Sequence, residues 1–165
     1  MIKIIPATTN SQFQQIETLA DTIWRDYYIP MVGKQQIDYM LEKFQSVAAI
    51  KQQVEVGFEY FIITFDGIPV SYIAIKKEES ALFLSKIYVL STYRGKKIAK
   101  TALAFIEDKA KSNQLETIRL TVNVNNTTSI NVYEKLGFVI VRPLVADIGN
   151  GFIMDDFEME KTIDN

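Results

Sequence analysis

From Ile87 to Lys100 an apolar, strand-like run passes through a short basic loop containing Gly95 and straight into a helical pattern. A strand that feeds a helix so directly confines the chain to folds that mix the two elements, and it puts the loop at a helix N-terminus. After the loop, Ile98, Ala102, Leu103, Ile106 and Ala110 recur at three- and four-residue intervals, which predicts an amphipathic helix from about Lys96 to Ser112. Backbone N–H groups without intrahelical acceptors and the positive end of the helix dipole meet Arg94, Lys96, Lys97 and Lys100 there. Together they suit a pyrophosphate or another dense anion. A solvated basic helix start fits the same residues.

The rest of the chain reads as alternating elements. Ile2 to Ile5 predicts a first strand stopped by Pro6, and Thr9, Asn10 or Ser11 can cap a helix with the stripe Phe13, Ile16, Ala20, Ile23, Trp24 and Tyr27. A break is expected over residues 29–33, then helices from Gln35 to about Phe44 and from Ser46 to about Val56. Phe58 to Phe65 and Ile68 to Lys76 are β-rich runs joined by Asp66-Gly67, a hairpin signal, and Leu82 to Val89 is a third strand. Beyond the basic-loop helix come a strand from Thr117 to Val122, a helix, a strand from Phe138 to Val145, and an alternating run from Gly151 to Met159. The last two can pair through residues 148–150. No repeat, linker or low-complexity tract divides the 165 residues, so a single domain over 1–165 is expected, and periodicity alone gives an α+β class.

The second helix after the basic loop lies in Asn126-Thr127-Thr128-Ser129-Ile130-Asn131-Val132-Tyr133-Glu134-Lys135-Leu136-Gly137-Phe138, an Asn-capped helix stopped by a glycine and followed by a strand. In this order the two motifs resemble those of the GNAT superfamily of N-acetyltransferases, over roughly Phe58 to Lys161. In that family Arg/Gln-x-x-Gly-x-Gly/Ala wraps the pyrophosphate of acetyl-CoA, and Asn-x-x-Ala/Ser followed by Tyr-x-Lys-x-Gly-Phe flanks the thioester. The resemblance implies an α/β three-layer arrangement: a central mixed, mostly antiparallel sheet of six to seven strands flanked by helices.

It also implies acetyl-CoA as co-substrate and a set of residues to hold it. Ile87 and Val89 match positions whose backbone pairs with the pantetheine arm, where this strand splays from the next. Backbone N–H groups of Arg94, Gly95, Lys96, Lys97, Ile98 and Ala99 match the pyrophosphate wrap, with Lys100 beside them. Lys97 departs from the pattern, because the family's middle glycine belongs there. A Cβ at that position crowds the ligand, or is harmless if the residue is already α-helical; we adopt the second reading, since an extra ammonium also attracts a pyrophosphate. Asn126 and Asn131 match CoA-contacting positions, and Tyr133 matches the general acid. A phenol of pKa near 10 can protonate a departing thiolate whose conjugate thiol lies near 8.5. Tyr133 also shares an apolar stripe with Val132 and Leu136, so a core tyrosine fits as well.

The general base is open. Many relatives carry a glutamate on the strand ending at the CoA site, whereas the inward positions here are Phe83 and Ser85. A water relay through Ser85 or Tyr88, or a carboxylate from Asp26, Asp155 or Asp156, remains. With neither cysteine nor histidine in the chain, a thiolate metal site, a cysteine nucleophile and the commonest general base are excluded, and no metal is expected.

In such folds the first helices and the final hairpin wall the acceptor site. They supply Trp24, Tyr27, Tyr28 and Tyr39 with Asp26, Asp155, Asp156 and Glu158, a combination suited to a cationic amine. Trp24, Tyr27, Tyr28, Ser85 and Asp155 are the expected substrate contacts, and a small-molecule amine is the expected partner. The N-terminal helices and Asp-rich closing strand loosely resemble polyamine acetyltransferases of the PaiA type. An acyl-CoA-binding sensor without turnover, or an enzyme acting on a protein amine, are the alternatives. A net charge of −2 provides no field for nucleic acid, and no apolar run reaches the roughly 18 to 20 residues of a membrane span. A cytoplasmic protein, monomeric or homodimeric, is expected.

Overall fold

The computed structural model describes residues 1–163 of the chain. Its elements are β1 (Ile2–Ala7), α1 (Asn10–Val32), α2 (Lys34–Gln45), α3 (Val47–Glu55), β2 (Phe58–Phe65), β3 (Ile68–Lys77), β4 (Ala81–Val89), α4 (Ile98–Ser112), β5 (Thr117–Asn123), α5 (Thr127–Lys135), β6 (Val139–Gly149) and β7 (Phe152–Thr162). The strands hydrogen-bond in the order β1-β2-β3-β4-β5-β7-β6. Where pairing is parallel, between β4 and β5, the chain needs a crossover, and α4 supplies it. This is the seven-stranded mixed sheet with flanking helices that the motif resemblance implies.

The chain forms two compact units, one of Met1–Lys76 with Lys86–Ile106 and one of Lys77–Ser85 with the chain from Glu107 onward. In the first, α1 begins on a capping box. Thr9 accepts from the Gln12 amide at 3.2 Å, and the Gln12 side chain accepts from the Thr9 amide at 3.0 Å. The buried stripe of α1, Phe13, Ile16, Leu19, Ala20, Ile23 and Trp24, meets Ile37 and Leu41 of α2, Ile50 of α3, and Tyr60, Ile62, Tyr72 and Ala74 of the sheet. Alternation along β2 turns Phe61 the other way, where its ring lies 5.1 Å from that of Phe105 on α4.

Two expected boundaries move for identifiable reasons. The predicted break over residues 29–33 narrows to Gly33 (φ +88), because α1 runs through Pro30 to Val32. Proline there removes one backbone donor, but Gly33 N–H closes the last turn on the Ile29 carbonyl at 2.8 Å. Pro6 likewise fails to stop β1, which lies at the end of the strand order, where a missing donor is tolerated.

In the second unit, Ala81–Leu84 of β4 pair with Thr117–Leu120 of β5, and β7 pairs antiparallel with both β5 and β6. Leu82, Leu84, Ile118, Leu120, Met159 and Phe138 are buried in it, and Lys161 forms an ion pair with Glu107 of α4. β6 is longer than predicted and reaches Gly149. The turn to β7 is made by Gly149, Asn150 and Gly151, all with positive φ.

Candidate functional site

The loop after β4 has an unusual backbone. A 3-10 turn, Ser91–Tyr93, leads into Arg94 at φ −66, after which Gly95 (φ +80) and Lys97 (φ +64) are the positive-φ residues between β4 and α4. The sign of φ therefore alternates along residues 94–98, and such alternation turns successive N–H groups toward one concave side, a nest for anions. Lys97 is not helical, contrary to the expectation. It holds the left-handed conformation that glycine favours, and its carbonyl accepts the first bond of α4, from Thr101 N–H at 3.0 Å. The Thr101 hydroxyl donates to the same oxygen at 2.8 Å. Amides of Ile98, Ala99 and Lys100 precede that bond, so helix geometry gives them no intrahelical acceptor. Ile98, 2% exposed, anchors the turn, while the side chains of Arg94, Lys96, Lys97 and Lys100 lie in solvent.

Cations of this loop rest on aromatic faces. The Arg94 guanidinium lies over Tyr27 of α1 at 4.8 Å, and the Lys96 ammonium over Phe65 at 5.5 Å. Beside Lys96, a concavity of about 430 Å³ is lined by Phe65, Asp66, Ile68, Thr92, Tyr93 and Lys96. Sequence reasoning missed it, because its lining residues come from two segments far apart along the chain.

The β4–β5 ladder stops at the Leu84–Leu120 pair, yet β4 stays extended to Val89, so Ile87 and Val89 lie on its continuation. This end of β4 is held to β3: Ser71 Oγ donates to the Tyr88 carbonyl at 2.6 Å, and Leu90 N–H donates to the Val70 carbonyl at 2.9 Å. Lys86, on the same stretch, is half-buried, and burial lowers its ammonium to about 8.

Against this end of β4 stands an aromatic wall. The Tyr88 ring is 5.5 Å from Trp24, 5.8 Å from Tyr28 and 5.6 Å from Tyr72, and Tyr27 meets Tyr28 at 5.0 Å. Trp24 is in the core at 3% exposure, its indole N–H donating to the Tyr72 hydroxyl at 3.0 Å; Tyr27 and Tyr28 are half-buried. Behind the wall, Tyr72 donates to Gln45 Oε1 at 2.6 Å, Gln45 Nε2 donates to the Tyr60 hydroxyl at 3.1 Å, and Tyr60 donates to Gln53 Oε1 at 2.5 Å. Burial pushes the Tyr60 phenol up to about 12 and that of Tyr72 well above its ordinary value. No sequence signal marks this chain of partners, since its members are far apart along the polypeptide.

In the second unit Asn126 caps α5, with Oδ1 accepting from the Ser129 amide at 3.2 Å, and is 1% exposed; Asn131 is exposed. Tyr133, half-buried, sets its ring edge-on to Phe138 at 5.7 Å. Ser85 follows directly after the β4–β5 ladder. Asp155 faces solvent and Asp156 is buried, where desolvation first, and the Asp155 charge second, raise its carboxyl to about 6.

Known proteins resemble this chain in sequence and in fold. The model of the acetyltransferase (GNAT) family matches residues 16–138. N-alpha-acetyltransferase 30 of Saccharomyces cerevisiae is 35% identical over 57 residues, and streptothricin acetyltransferase of Escherichia coli is 39% identical over 57 residues. Each match takes in 34% of this chain, but only 32% and 33% of those two proteins, about a third of their length. The crystal structure of the PaiA N-acetyltransferase of Thermoplasma acidophilum in complex with coenzyme A superposes with a TM-score of 0.80, covering 98% of this chain and 99% of that one. At 22% identity, the likeness is one of fold.

Proposed function

The chain belongs to the GNAT family of acetyltransferases, and from that premise we propose that it moves an acetyl group from acetyl-CoA to a primary amine of a small cationic molecule such as a polyamine. The observation that carries the reading is the backbone of residues 94–98, where Lys97 keeps a glycine-like φ at the position where the family motif has glycine. Its Cβ therefore need not displace the backbone from the phosphates. Amides of Gly95 through Lys100 hold the pyrophosphate, in place of the expected Arg94 through Ala99, because the Arg94 N–H donates to the Ser91 carbonyl at 3.3 Å; the Arg94, Lys96, Lys97 and Lys100 charges surround it. Asn126 and Asn131 add contacts from α5, and Ile87 and Val89 lie where the pantetheine arm would add as a strand.

In the transfer, the nitrogen lone pair attacks the thioester carbonyl carbon and the C–S bond breaks toward sulfur. Tyr133 supplies the proton that sulfur takes. Trp24, Tyr27, Tyr28 and Ser85 are the residues we assign to the acceptor side, with Trp24 acting from the core as backing for the tyrosines; Asp155, expected among them, alternates to the face of β7 opposite Asp156 and is not assigned there.

The test is thiol release from acetyl-CoA with spermidine, spermine, aminoglycosides, amino acids and peptides. Polyamine-dependent release that Tyr133→Phe lowers by about 10²-fold or more, with CoA affinity kept, supports the reading. Release with peptides alone favours a second one, acetylation of a protein N-terminus, which the match to N-alpha-acetyltransferase 30 motivates.

A further inference from the structure

Two carboxylates on β7 are buried, and the chain treats them differently. Asp156 is 5% exposed and Glu158 6%. In register, Asp156 lies opposite Asn123 of β5 and Leu144 of β6, and Glu158 opposite Thr121 and Arg142. Cross-strand partners share a face, so both acids project from the face that carries Thr121 and Asn123. Glu158 is neutralised there: Arg119 donates to it at 3.1 Å, and the Arg142 guanidinium lies 3.2 Å from its other oxygen. Arg119 is itself held by Glu78 at 2.6 and 2.8 Å and covers Phe83 at 4.1 Å. Among the described residues Asp156 has no such counter-ion; what acts on it is desolvation and the like charge of Asp155.

A buried carboxylate without a cation opposes folding at neutral pH, so its place in the fold matters. Asp156 stands at the carboxyl end of β5, three residues beyond the point where the β4–β5 ladder stops. Open α/β sheets bind their ligands beyond such strand ends. Burial also makes the carboxylate a stronger base than an exposed one while leaving it mostly ionised above neutral pH.

We propose that Asp156 is the general base that takes the proton from the acceptor's ammonium, directly or through one water, before attack. The assignment rests on the acetyltransfer reading given above. The ammonium N–H bond breaks toward nitrogen and its proton bonds to a carboxylate oxygen of Asp156, which later releases it to water. The freed lone pair forms the C–N bond, the C–S pair goes to sulfur, and the second proton lost by nitrogen balances the one that sulfur takes. Asp155, Glu158, Arg119 and Arg142 are the charged groups on β5, β6 and β7 around this site, and the two arginines are engaged by Glu158.

The test is the pH profile of kcat/KM, with the panel amine that turns over fastest, for the wild type, Asp156→Asn and Asp156→Glu. The wild type is expected to rise to a plateau above about pH 6. Asp156→Asn should fall at least 100-fold at pH 7, keep its CoA affinity, and climb tenfold per pH unit toward the wild type as free amine accumulates. Asp156→Glu should keep a plateau at a lower level, which decides the matter if the asparagine variant does not fold. A plateau retained in Asp156→Asn, at whatever height, overturns the assignment and leaves acetyl transfer standing. Thiol release by the wild type with none of the amines overturns acetyl transfer, and this assignment with it.

Discussion

The guanidinium of Arg94 lies 4.8 Å from the ring centroid of Tyr27, so a side chain of α1 braces the first residue of the anion loop. A cation–π contact at an exposed site contributes about 0.5–1 kcal/mol. Tyr27→Leu should therefore weaken CoA binding by roughly two- to fivefold, while Tyr27→Phe, which keeps the ring, should leave it unchanged. Calorimetric titration of both variants decides this, and equal losses would show that the hydroxyl, rather than the ring face, matters.

Lys97 holds a left-handed backbone that costs a non-glycine residue about 1–2 kcal/mol. Lys97→Gly should thus not lower the melting temperature of the ligand-free protein, and Lys97→Val should lower it. The glycine variant should also bind CoA more weakly at low salt and much like the wild type at high salt, because what it loses is a screened charge. Thermal melts and titrations at two salt concentrations measure both effects.

The polar chain behind the aromatic wall predicts a stability loss at one hydroxyl. Tyr72→Phe removes the acceptor of the Trp24 indole N–H and the donor to Gln45, leaving two buried groups unsatisfied at about 1–3 kcal/mol each. Urea unfolding should show a lower midpoint with an unchanged slope. The raised phenols also set a pH window. Their folded pKa values exceed the unfolded ones, so stability should fall as pH rises from about 10 to about 12.

Asp156 makes the corresponding prediction at the acid end. Its folded carboxyl is raised to about 6, so the folded state binds the proton more tightly, and this contribution to stability is lost as pH climbs from about 4 to about 6. Asp156→Asn should flatten that decline and be more stable than the wild type at pH 7.5. Chemical denaturation at pH 4, 6 and 7.5 checks the sign without reference to turnover.

Much of the architecture is legible along the chain because local chemistry and burial agree. The Asp66-Gly67 turn, the stripe of α1 and the Asn126 cap each appear where residue type and spacing put them. The misjudged points are those where tertiary context overrules a local rule. Pro6 and Pro30 sit where the missing donor matters little, and Lys97 takes a conformation that its side chain disfavours. The acids of β7 show the limit most clearly, since Asp155 and Asp156 are alike in sequence, and only strand register decides which one is buried. Likewise, nothing along the chain tells that the Trp24 indole N–H is taken up by the Tyr72 hydroxyl.

Amide NMR of the 15N-labelled protein shows whether residues 94–100 hold the pyrophosphate of acetyl-CoA. Titration with CoA should move the amide protons of Gly95 through Lys100 downfield as they bond to phosphate oxygens, and pantetheine, which lacks the pyrophosphate, should leave them nearly in place. Saturable CoA binding that shifts other amides while those six stay still would rule out a pyrophosphate held by this loop.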